Sequence, residues 1–129
     1  MQSRGGATWE GVAHYGHMRN HRNLAVLEAA DLVADEVNRL IDGGPRRLIH
    51  AAQLRKSTQS IAANISEGFG RGRGRERNYS LRVARGEAEE SIRHLRANAQ
   101  SERISQSTYW GLRNRLITIT RMLTSLLDV

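Results

Sequence analysis

The sequence predicts an all-α fold, an antiparallel up-down four-helix bundle. Three observations carry this expectation. Four stretches repeat their apolar residues at spacings of three and four. The connections between them are short and polar, and the 129 residues hold one proline and no strand-like alternation.

Residues 1–22 combine glycines with scattered polar groups and no sustained apolar period, so they read as a mobile tail before a bundle domain over 23–129. Trp9 and Tyr15 are candidates to pin this tail to a partner. His14, His17 and His21 would share one helical face, but no carboxylate or cysteine accompanies them, so no metal is expected. The first helix spans Asn23 to Ile41, with Val26, Ala30, Val33, Val37 and Leu40 on its seam. Gly43, Gly44 and Pro45 then stop it. The second begins near Arg46 and runs to about Glu67, with Leu54, Ser57, Ile61 and Ile65 inward and Gly68 at a C-terminal cap position. The third runs from about Glu76 to Ser101 on a seam of Leu81, Ala84, Ala88, Ile92, Leu95 and Ala99. After the polar turn Ser101–Ser105, the fourth starts at about Gln106. Its Tyr109, Leu112, Leu116, Ile119, Leu123 and Leu126 keep a heptad spacing. Small seams on helices two and three face bulky seams on helices one and four, which fills a core without voids. Trp110, Ile117, Met122 and Leu127 lie off the main stripe of helix four. They either form a subunit interface or cover loop ends.

Composition narrows the function classes. With no cysteine, disulfides and thiolate metal sites are excluded. No apolar run reaches the ~20 residues of a membrane span, so a soluble cytoplasmic protein is expected, with no membrane partner. A net charge of +7, almost wholly from arginine, favours an anionic partner such as nucleic acid. The charge is uneven. Residues 24–42 carry five acids against Arg39, while residues 43–85 carry ten bases against Glu67 and Glu76. These neighbouring segments can attract each other within or between subunits, each exposed pair contributing only ~0–1 kcal/mol.

The helix Gln53–Gly68 and the Arg/Gly run behind it organise the chain. Arg71, Arg73, Arg75 and Arg77 alternate with Gly70, Gly72 and Gly74, and Phe69 and Tyr79 flank the run as stacking groups. Arg55 and Lys56 upstream and Arg82 and Arg85 downstream extend the basic track. Such a surface suits phosphate-backbone contact driven by counterion release rather than base reading. The competing reading is a solvated loop whose arginines pair with acids of helix one on a neighbouring subunit. No Gly-Lys-Ser/Thr closes the run, and its glycine spacing does not fit a dinucleotide fingerprint. His50 and His94 lack the Glu-x-x-His pairs of a di-iron bundle. Glu67, Glu87, Glu89 and Glu90 would make a Mg²⁺-dependent nuclease site only if they converged. Helical ion pairing is the simpler role for Glu89, and a bridge to an arginine of helix two or three for Glu67. No catalytic residue, metal or cofactor is expected.

The run Gln53-Leu54-Arg55, Ser60-Ile61, Asn64-Ile65 and Glu67-Gly68, then the arginines, then Ala84, Gly86 and Glu90, resembles a known family. It is the four-helix bundle family encoded within intervening sequences of bacterial large-subunit (23S) ribosomal RNA genes. The resemblance covers about residues 23–127. Asn64-Ile65-x-Glu67-Gly68 is its most specific part, with Gln53, Gly86 and Glu90 as further motif positions. A serine usually follows the glycine matched by Gly86, and this chain has Glu87 instead. The resemblance implies a homo-oligomer, often a pentamer, and no defined activity. The family is also similar in fold to accessory proteins of diversity-generating retroelements, basic pentamers that bind nucleic acid and a reverse transcriptase. These considerations point to a non-catalytic oligomeric accessory protein that binds RNA or DNA backbone. The alternative is a protein-interaction scaffold, for instance a partner of a reverse transcriptase, with no nucleic-acid role.

Overall fold

The computed structural model describes residues 20–127. Trp9, His14, Tyr15 and His17, with nearly all of the expected tail, lie outside the described residues. Four helices make up the described chain: α1 (His21–Gly43), α2 (Ala51–Gly70), α3 (Arg75–Gln100) and α4 (Gln106–Leu126). Each packs against its sequence neighbours, and α1 closes the circle against α4. The pairing is antiparallel: on α2 and α3, Ser57 meets Ser91 and Gly68 meets Ser80. The all-α up-down bundle is therefore observed.

Every seam residue expected on α3 and α4 is buried, as are Val26, Ala30, Val33 and Val37 of α1 and Leu54, Ser57, Ile61 and Ile65 of α2. Leu40 and Ile41 are only half-buried, although both pack against the core. Ile117, Met122 and Leu127 pack against the same core, so most of the apolar girdle on α4 belongs to the bundle itself. Trp110 does not: it is 49% exposed.

The helix boundaries differ from expectation for identifiable reasons. α1 starts two residues early because the Asn20 side chain caps it, accepting from the backbone N–H groups of Arg22 and Asn23 at 2.8 and 3.4 Å. α2 starts at Ala51, not Arg46. The intervening segment bends at 44–46 and turns at 49–50, and Asn98 of α3 pins it there: its Oδ1 accepts from the Ile49 N–H (2.8 Å) and its Nδ2 donates to the Ile49 carbonyl (3.0 Å). Leu48 is buried beside this clamp, and His50 takes a left-handed conformation with φ 56° to enter α2. Gly68 is not the cap of α2, since the helix continues to Gly70. It is a close-approach point: a Cβ there would lie 3.1 Å from the Ser80 Cβ and 3.3 Å from Leu81 Cδ2.

Small residues bring α2 and α3 together. Ser57 and Ser91 share a buried hydrogen bond of 2.7 Å, and Ala84 and Ala88 continue the seam. At the other end of α4, Ser105 caps the first turn by accepting from the Thr108 N–H at 3.0 Å.

Candidate nucleic-acid interface

The connection between α2 and α3 is tight. It contains only Arg71–Gly74, with φ of +77° at Gly72 and +124° at Gly74, values that suit glycine alone. These two glycines therefore serve the turn. Arg75 and Arg77 already belong to α3, so the arginines alternate between turn and helix rather than lining one long loop.

Of the eight basic candidates, Arg55, Arg71, Arg77 and Arg85 are held by hydrogen bonds of the fold. Arg77 is 8% exposed, and one Nη donates to the Leu126 carbonyl at 2.9 Å. Its guanidinium also lies 5.3 Å from the centre of the Phe69 ring. A cation at the last carbonyls of α4 is favoured by the helix dipole, which explains an arginine at this depth. No phosphate can reach it without displacing α4, and Arg77 is thereby corrected from a surface residue to a structural one. Arg71 bridges Glu67 at 2.6 Å and Glu76 at 3.2 Å, and both carboxylates raise its pKa, Glu67 the more. Arg55 donates to Asn38 Oδ1 at 2.8 Å and pairs with Asp42 at 2.7 Å. That bond holds the Asp42 carboxyl below its usual range. Arg85 donates to Thr124 Oγ1 at 3.0 Å, joining α3 to α4.

Arg75, Arg82 and Lys56 make no ion pair among the described residues, and all three are exposed, as is Arg73 in the turn. Arg75, Tyr79 and Arg82 occupy positions i, i+4 and i+7 of α3, so they form one stripe, and Tyr79 is 68% exposed in its middle. Lys56 is not part of it. By the register of Ser57 against Ser91 it sits level with the middle of α3, about 26 Å along the bundle from Arg75 at 1.5 Å per residue.

The remaining motif positions are structural or exposed. Asn64 donates to the Ser60 carbonyl at 2.8 Å within α2, while Glu67 forms its bridge at the surface and not in the core. Gln53 and Gly86 are exposed, and no atom lies within 4 Å of a Cβ built on Gly86. Glu90 pairs with Arg93 and with His94 Nε2 at 2.9 Å, and these contacts, Arg93 first, lower its pKa. The His94 ring in turn meets His50 edge-on at 5.4 Å.

By the same register Glu67 lies level with Leu81, about 14 Å along the bundle from Glu90, which separates these two carboxylates of the nuclease alternative. Among the described residues no three His, Cys, Asp or Glu side chains gather as a metal site would require. Within the described residues no helix is long and apolar enough to cross a membrane. A cavity of about 570 Å³ lies at the opposite end of the bundle from the arginine turn, between Leu40, Leu48 and Ile104. Beside it Arg103 donates to the Arg47 carbonyl at 2.6 Å, pinning one connection to the other.

Sequence reasoning overlooked two of these features. Arg77 and Asn98 extend the seam of α3, at four residues before Leu81 and three after Leu95, and that spacing is the signal that marks them as inward-facing.

The fold is shared with a protein of unknown function from the S23 ribosomal protein family of Bacteroides thetaiotaomicron, known from its crystal structure. The two are 22% identical and superpose with a TM-score of 0.73, over 81% of this chain and 96% of that one. No curated protein matches the sequence. The 23S rRNA-intervening sequence protein family matches residues 22–125, the whole bundle but for its first and last helical residues, and the chain belongs to that family.

Proposed function

We propose that the protein is a non-catalytic accessory that binds the backbone of RNA or DNA through the first turns of α3. The observation that carries this reading is the stripe of Arg75, Tyr79 and Arg82: two unpaired cations one and a half turns or less from a highly exposed aromatic ring. Arg73 in the adjoining turn adds to the cationic end of the bundle, and the chain's net charge of +7 attracts a polyanion as a whole. Tyrosine between arginines allows stacking on an unpaired base as well as phosphate contact. The protein acts as a homo-oligomer, in keeping with the resemblance to ring-forming relatives. Repeating a weak site around an assembly raises its avidity without a new contact.

The test is binding of the purified protein to a structured RNA over a salt series, beside a variant carrying Arg75→Gln and Arg82→Gln. The logarithmic salt slope should fall by roughly one for each arginine removed. Light scattering on the same samples gives the subunit number. Binding whose salt slope is unchanged in the variant would move the site elsewhere. Absence of binding at low salt would leave a protein-interaction scaffold as the better reading.

A further inference from the structure

Among the described residues, Trp110 is the largest exposed apolar side chain. It sits at the N-terminal end of α4, 49% exposed, beside Tyr109, which is only 5% exposed. The two rings meet edge to face, 5.3 Å apart at 65°, so the buried tyrosine supports the exposed indole. Arg113, one turn along, holds its guanidinium carbon 5.0 Å from the indole centre. Across the groove, Arg96 of α3 donates from Nε to the Tyr109 hydroxyl at 3.1 Å. Gln100 and Gln106 complete a groove of about 310 Å³ with no acidic residue in its lining.

We propose that this groove binds an unpaired base of a single-stranded nucleic acid together with its neighbouring phosphate. The inference rests on the nucleic-acid reading above and adds a second contact to it. The chemistry of the lining selects this occupant. A planar, amphipathic ring stacks on the indole, where an exposed cation–π contact is the weaker competitor it replaces. Arg113 then turns from the ring toward the phosphate, and its other contact, to Asn114 Oδ1 at 3.4 Å, is too long to hold it back. The two glutamine amides offer both donors and acceptors to a base edge. A duplex keeps its bases stacked and cannot fill the site. Arg96 lies about 31 Å along α3 from Arg75, so one strand would have to run the length of the bundle to occupy both places.

Trp9→Phe leaves Trp110 as the sole tryptophan of the two in the sequence. That protein is titrated with an unstructured oligothymidylate and with a duplex of equal length, following indole emission. The single strand should quench Trp110 and the duplex should not. Trp110→Ala should weaken oligothymidylate binding by about tenfold and leave duplex binding unchanged, and Trp110→Phe should restore most of the loss. Far-UV circular dichroism confirms that each variant is folded. Oligothymidylate binding with silent Trp110 emission and equal affinity in Trp110→Ala would overturn the proposal. So would a change of oligomeric mass on Trp110→Ala, which would mean that the ring packs against a second copy of the chain. In both cases retained duplex binding leaves the wider nucleic-acid reading intact, whereas loss of all binding to the unmutated protein would overturn both.

Discussion

Asn98→Ala tests how the end of the bundle away from the arginine turn is held. Asn98 is fully buried and makes three hydrogen bonds: two with the backbone of Ile49 and one, at 2.9 Å, to the His94 carbonyl of its own helix. Alanine removes the partner of the Ile49 N–H and carbonyl without offering another. Each deprived buried group costs about 1–3 kcal/mol, and Ile49 is half-buried, so water satisfies part of the demand. The expected loss is about 2–4 kcal/mol, a large share of the ~5–15 kcal/mol that stabilises an ordinary domain. Urea unfolding followed at the helical circular dichroism band measures it. Variants must be compared at one protein concentration, because association would couple stability to concentration. Asn98→Asp sharpens the test. Its carboxylate can still accept from Ile49 but repels the Ile49 and His94 carbonyls. Burial raises the folded pKa of that carboxyl, so the variant should regain stability as pH falls and the protonated form donates to one carbonyl. A loss below about 0.5 kcal/mol for Asn98→Ala, with no pH response in Asn98→Asp, would refute the clamp as the reason α2 starts late.

Other substitutions probe the remaining structural statements. Gly68→Ala should cost about 1–3 kcal/mol in the same unfolding assay, since the added methyl meets Ser80 and Leu81 at 3.1 and 3.3 Å. Gly86→Ala should instead stabilise by about 0.5–1 kcal/mol, because α3 gains a better helix former with open space around it. Arg77→Gln should lower stability by about 1.5–3 kcal/mol through the lost charged bond to Leu126, while leaving the salt slope of nucleic-acid binding unchanged. Glu90 has its pKa lowered in the folded protein from a model value of 4.5, so its pairing with Arg93 and His94 stabilises above that value and fades as pH falls through the depressed one. The stability gap between the unmutated protein and Glu90→Gln, measured by urea unfolding, should therefore shrink from pH 7 toward pH 3.

The periodic seams made the bundle legible before any coordinates. Spacings of three and four in α3 and α4, and in α1 as far as Val37, select inward faces that are buried as expected, because a helix repeats every 3.6 residues whatever packs against it. The interface was less legible, since a basic residue carries no mark of whether it will meet solvent or a carbonyl. Arg77 and Arg75 sit two residues apart in the same Arg/Gly run, yet the helix turns one toward Phe69 and Leu126 and the other toward solvent. Asp42 and Arg55 are adjacent only because α1 and α2 fold back on each other, so their charges were visible in the sequence and their pairing was not.

By itself, then, the sequence determined the helices, their inward faces, the basic balance of the chain and the family it resembles, all properties of local pattern. Only the tertiary structure decided which arginines remain unpaired, where Gly68 is needed, and that Asn98 holds back the start of α2. Each of these depends on a partner from a distant part of the chain, and packing alone brings such partners within hydrogen-bonding or van der Waals reach.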